Sequence, residues 1–256
     1  MRIINIIRYS AVGLILGTAC ATPRGGEGVV EPSPSPMPSV EAPVSETKGA
    51  SRGPWSFRYA PGTYTYSIIT EAQVAQLPDT TNFRAIPATT QMATVAVTDT
   101  GVVVIDPATP ETLQCDPSAA LFTRAQVLLP QLPSYELSAG ATWNDSTTSN
   151  GCRGTIPTTT TVVRTFTVVG DTTYDATSAL HIKRTETIVA KGEGNEGQHR
   201  IVLSATGSGS TDIYLDVATG RLLGVTSQQT TQVGITTSGR VSEFLQKVTE
   251  RVTLAP

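Results

Sequence analysis

The chain has 256 residues, 18 of them Lys or Arg, 21 Asp or Glu and two His. A net charge of −3, with no basic block and no basic–aromatic stripe, argues against nucleic acid as a partner. Threonine is plentiful and lysine scarce, a balance that suits half-buried pleated surfaces better than long helices.

Residues 1–19 read as an export signal: Arg2 and Arg8, then the apolar run Ala11 to Leu16, then Gly17, Thr18 and Ala19. That run falls well short of the roughly 20 residues that span a bilayer, so no permanent transmembrane helix is expected there. Cys20 follows the small residues directly, an order that resembles the lipobox of bacterial lipoproteins, although Gly17 stands where that family usually has Leu. The resemblance implies cleavage before Cys20 and attachment of lipid, palmitate included, to its thiol. Ala21 is not the aspartate that signals inner-membrane retention in enteric bacteria, so the same resemblance implies the outer membrane. An ordinary signal peptide with an incidental Cys20 is the competing reading. Residues 20–53 then form a tether rich in Pro, Ser, Gly and Glu, in which Pro32, Pro34, Pro36 and Pro38 favour extended conformations.

With Cys20 assigned to the anchor, Cys115 and Cys152 remain, a pair expected to join in an oxidising compartment. Such a bond would contribute about 3–4 kcal/mol. Two buried free thiols are the alternative, and neither cysteine has Cys or His neighbours at metal-ligand spacing.

Residues 54–256 are long enough for one β-rich domain with a good core. Trp55, Phe57 and Tyr59 alternate as a strand requires, and Pro61-Gly62 turns the chain into Tyr64, Tyr66 and Ile68. A short helix is expected around Glu71 to Leu77. Met92 to Thr98 and Val102 to Ile105 form a hairpin about Asp99-Thr100-Gly101. A second helix starts at Asp116-Pro117, an N-cap followed by proline in the first turn. Its face is Leu121, Phe122, Ala125, Leu128 and Leu129, and it stops at Pro130. Strands follow at Thr159 to Val169, Ala179 to Ala190, His199 to Thr206 and Ile213 to Val217. A last strand puts Phe244, Val248, Val252 and Leu254 on one face. The expected fold is mainly β (α+β): a curved antiparallel sheet, half-barrel-like, covered by one or two helices, with a two-sheet sandwich as the alternative.

Chemical motifs are sparse. Gly192, Gly194 and Gly197 match the dinucleotide fingerprint in spacing, yet a strand rather than a helix follows them, so they are read as a hairpin loop. His181 and His199 become cross-strand neighbours if that loop joins their strands. Asp171 and Asp175 lack the oxygen-rich loop that calcium requires. No catalytic constellation, cofactor motif or metal set emerges, and no enzymatic activity is expected. A ligand cavity, if present, is expected to involve Trp143, Phe122, Leu128 and Phe166.

The string Leu128-Leu129-Pro130-Gln131-Leu132-Pro133, then Gly140-Ala141-Thr142-Trp143, then the hairpin Leu215 to Leu222, resembles uncharacterised β-rich bacterial lipoproteins. The lipobox, tether, curved sheet and covering helix are more loosely similar to the LolA/LolB-like lipid carriers, which implies an open half-barrel and no specific site. Two functions follow as expectations. One is a membrane-tethered, non-catalytic interaction domain that docks an envelope protein; the other is a carrier of lipid or another apolar small molecule.

Overall fold

A computed structural model describes residues 53–99, 101–104, 129–153 and 156–255. Nine strands run in chain order: β1 (Gly62–Gln76), β2 (Arg84–Val97), β3 (Val102–Val104), β4 (Thr142–Arg153), β5 (Ile156–Tyr174), β6 (Thr177–Glu196), β7 (His199–Asp216), β8 (Leu222–Thr237) and β9 (Arg240–Leu254). They form one antiparallel sheet in the order β3-β2-β1-β9-β8-β7-β6-β5-β4, eight long strands plus the three-residue β3 at one margin. The sheet is not closed: β3 and β4 are its two edges. Chain neighbours pair throughout, except that β3 and β4 are far apart and the first strand pairs with the last.

Two expectations about helices meet different outcomes. No helix occurs among the described residues. Glu71 to Leu77 is not helical: β1 runs through it to Gln76, held by β9 along its length and by β2 at Ala72, Gln73 and Val74. Two ladders of backbone hydrogen bonds outweigh the modest helix preference of Ala, Gln and Glu. The helix expected after Asp116 lies outside the described residues, as do Cys20, Cys115, Phe122 and Leu128.

The glycine-rich segment is also corrected. Gly192 and Gly194 are inside β6, paired with Leu203 and Ile201, and the turn is made later by Gly197 at φ 60°. The strand continues through Gly192 because the absence of a side chain is needed there. A Cβ would sit 2.6 Å from the Pro157 carbonyl oxygen on β5. Gly207 on β7 has the same relation to the Thr230 carbonyl oxygen, also 2.6 Å.

Register shows how the core is laid out, because directly opposed residues share a face. One transverse row is apolar: Ile182, Ile213, Val225, Val252 and Ile68, on β6, β7, β8, β9 and β1. The next row on the same face is polar: Arg184, Thr211, Ser227, Glu250 and Thr70. Three rows further along it is apolar again, with Ala190, Ala205, Val233 and Phe244. Two hydrophobic clusters thus lie on one face with a polar belt between them. Trp55, Tyr59, Leu129 and Leu137 pack over the larger cluster, and Trp55 is bridged to Leu137 by two backbone hydrogen bonds of 2.6 and 2.9 Å.

Candidate functional site

Trp143 and Phe166, two of the four residues expected beside a ligand cavity, lie together. They are paired across β4 and β5, and their rings stack at 5.0 Å with planes 10° apart. The Trp143 indole N–H donates to the Gln131 carbonyl at 3.0 Å. Phe166 is fully buried, and Leu132, Ala141 and Trp143 close over the cluster it belongs to. The pair is therefore a packed margin of the core. Tyr59 is sealed into the same cluster, its hydroxyl donating to the Pro130 carbonyl at 2.6 Å, and burial holds that hydroxyl well above its usual pKa.

The polar belt is the feature that strand-by-strand reading misses. Asp145 on β4 accepts from Arg164 Nε at 2.7 Å, and Arg164 also donates to the Thr147 hydroxyl at 3.0 Å. Arg184 on β6 lies with its Nε 3.2 Å from Glu186 Oε2 and donates through a terminal nitrogen to the Thr211 hydroxyl. Thr211 donates onward to Ser227, and Gln229 donates to Glu186 Oε1 at 2.6 Å. Burial lowers the pKa of the Arg184 guanidinium, Glu186 works most strongly against that shift, and Asp145 and Glu250 add to the same side. Each charge has a partner of opposite sign, the condition under which a buried ion network is tolerated.

The two histidines are not neighbours. His181 lies opposite Tyr214, whereas His199 lies opposite Glu196 at the far end of β6 and β7 and bonds Ser238 through Nδ1. His181 Nε2 is 2.8 Å from Asp212 Oδ1, and its ring stacks on Tyr214, which stacks in turn on Tyr174. The hydrogen bond from His181 holds the Asp212 carboxyl below its usual pKa. Neither member of this pair is hydrogen-bonded to a hydroxyl that could serve as a nucleophile among the described residues. Asp171 and Asp175 do not converge either: Asp171 is paired within the β5–β6 ladder, and Asp175, at φ 48°, forms the turn between those strands with Ala176. No group of three metal-ligating side chains occurs among the described residues.

An open cleft of about 470 Å³ lies where β4 to β7 meet their hairpin ends, walled by Asn150, Thr159, Lys191, Glu193 and Ser204. Its one carboxylate is already bridged to Arg200 at 2.7 Å. Cys152 is half-buried on β4 and is not a free group; its expected partner Cys115 lies outside the described residues. Comparison with known family profiles, with curated proteins and with solved structures finds no match to this chain.

Proposed function

We propose that this is an exported protein, tethered by lipid on Cys20 to the bacterial outer membrane, whose β-domain works as a non-catalytic interaction module. One observation carries the choice of module over carrier. Phe166, Ile182, Ile213 and Leu215, the side chains that would line an apolar hollow, are each 0% exposed. A carrier needs an apolar surface left over for its cargo, and among the described residues Trp55, Tyr59 and Leu137 pack into this same cluster. The tether rests on the order of residues 1–20, and we place the Cys115–Cys152 bond in the same reading as a clamp on the start of β5.

Metabolic labelling with an alkyne palmitate tests the anchor: the wild-type chain takes label and Cys20→Ala does not. Equal labelling of both defeats the lipoprotein reading. Native mass spectrometry of the exported chain tests the module. A single mass free of noncovalent lipid supports it, and a stoichiometric lipid adduct lost on denaturation reinstates the carrier. The same spectrum with and without reductant reads the disulfide as a gain of two hydrogen atoms.

A further inference from the structure

The two edges of the sheet are unlike. At one margin β2 contains Pro87 and Arg84, β3 covers Val95 to Val97, and the β1–β2 register shifts at Thr70/Ala72. Proline, charge and irregularity are the usual means by which an edge is protected from pairing. The other margin, β4, has neither proline nor irregularity, and its two charges, Asp145 and Arg153, both lie on the core face. Its twelve residues hold an unbroken register against β5, with no proline, lysine or bulge. Thr142, Asn144, Ser146, Thr147, Thr148 and Asn150 are exposed along it.

One charge on this strand has no opposite charge beside it among the described residues. Arg153 is half-buried, burial alone depresses its pKa, and no acid lies within ion-pair distance of it among the described residues. Eight residues back, Asp145 gives Oδ1 to Arg164, and none of the described hydrogen bonds uses Oδ2. Both side chains lie on the core face of the sheet, since Asp145 opposes Arg164 and Arg153 opposes Ile156.

We infer that β4 is the edge through which two copies of this chain associate, antiparallel, about a twofold axis at Ser149. Edge pairing of a strand with its own copy must set odd residues against odd, or side chains would meet the wrong face. Among such registers, the one centred on Ser149 sets Asp145 of each copy opposite Arg153 of the other. It also sets Thr147 opposite Gly151. Each Arg153 guanidinium then gains a carboxylate, and two nine-strand sheets become one continuous sheet. The two-fold arrangement is self-complementary, as a closed homodimer requires.

The inference stands on β4 and not on the lipid anchor, so the two fail separately: acylation is read as label on Cys20, association as a covalent dimer. In the full chain, exported and solubilised in detergent, Ser149→Cys puts two thiols on paired positions about 4.5–5.5 Å apart between Cα atoms, inside the range a disulfide accepts. Mild oxidation is expected to convert most of the chain to a dimer on a non-reducing gel. Thr147→Cys, displaced from its own copy by four residues or about 13 Å, stays monomeric. Arg153→Glu, with far-UV circular dichroism unchanged, weakens association more than ~10-fold by setting acid against acid. A monomeric Ser149→Cys after oxidation overturns the proposal, and so do equal yields from the two cysteine variants. Ser149→Cys removes no buried group, so it decides the matter even where Arg153→Glu fails to fold.

Discussion

Replacing Glu186 by Gln isolates the electrostatic role of the belt, because shape and the hydrogen bond from Gln229 are kept while the charge facing Arg184 is lost. The side chains of Arg184 and Glu186 are 7% and 3% exposed, so solvent screening is slight. At 3.2 Å and an effective dielectric near 20, the lost attraction is about 5 kcal/mol. Asp145 and Glu250 also act on Arg184 and remain in place. Removing one partner of a buried pair costs about 3–5 kcal/mol in general, and the surviving acids place Glu186→Gln near the lower end, about 3 kcal/mol. With a urea dependence of about 2 kcal/mol/M, the unfolding midpoint should fall by about 1.5 M. The double variant Arg184→Met, Glu186→Met removes both members of the buried pair and should recover most of that loss. A shift of under ~0.5 M for Glu186→Gln, or a double variant worse than the single, would refute the account of the belt as a network of mutually dependent charges.

Phe166→Ala empties a fully buried position beneath Trp143 and should cost about 3–5 kcal/mol in urea unfolding, with Trp143 fluorescence moving to longer wavelength as its stacking partner disappears. Gly207→Ala forces a Cβ to 2.6 Å from the Thr230 carbonyl and should cost about 1–3 kcal/mol. Gly151→Ala meets nothing within 4 Å and should lie within about 0.5 kcal/mol of wild type. Asp212 has a folded pKa held down by His181, so its contribution to stability is present above the ordinary carboxylate pKa and disappears as pH falls through the lowered value. Carbon-detected NMR titration of wild type and His181→Asn checks this: the Asp212 midpoint should rise in the variant.

Much of the sheet was legible because alternation is a local signal. Phe166 with Val168, and Ile213 with Leu215, announce their strands without help from any neighbour. Glu71 to Leu77 misleads for the opposite reason: its composition suits a helix, and only the ladders from β2 and β9 make it a strand. Gly192 misleads because glycine clusters usually mark turns, whereas here glycine permits the Pro157 carbonyl to come close. The belt was illegible in principle. Arg184, Glu186, Thr211 and Ser227 are ordinary polar residues in sequence, and only the cross-strand register turns them into a row. The same holds for Arg153, whose lack of a nearby acid among the described residues is visible only once its surroundings are known. Trp143 and Phe166 were named as two of four residues beside a ligand cavity; their stacking needs the β4–β5 register, and Phe122 and Leu128 lie outside the described residues.

Because β1 pairs with β9, the chain enters and leaves the sheet in its interior and not at a margin. The backbone N–H of Ala255 donates to Thr65 at 2.8 Å, so the last described residue sits beside the first turns of β1. A mechanical load applied through the residues before Gly53 therefore reaches the fold at an internal seam. It falls first on the Trp55–Leu137 bridge and on the hydrogen bond from Ala60 to the Gly220 carbonyl, 3.0 Å long. Parting them, together with the Tyr59–Pro130 hydrogen bond, would free residues 53–61 while the ladders from β1 to β9 stay paired.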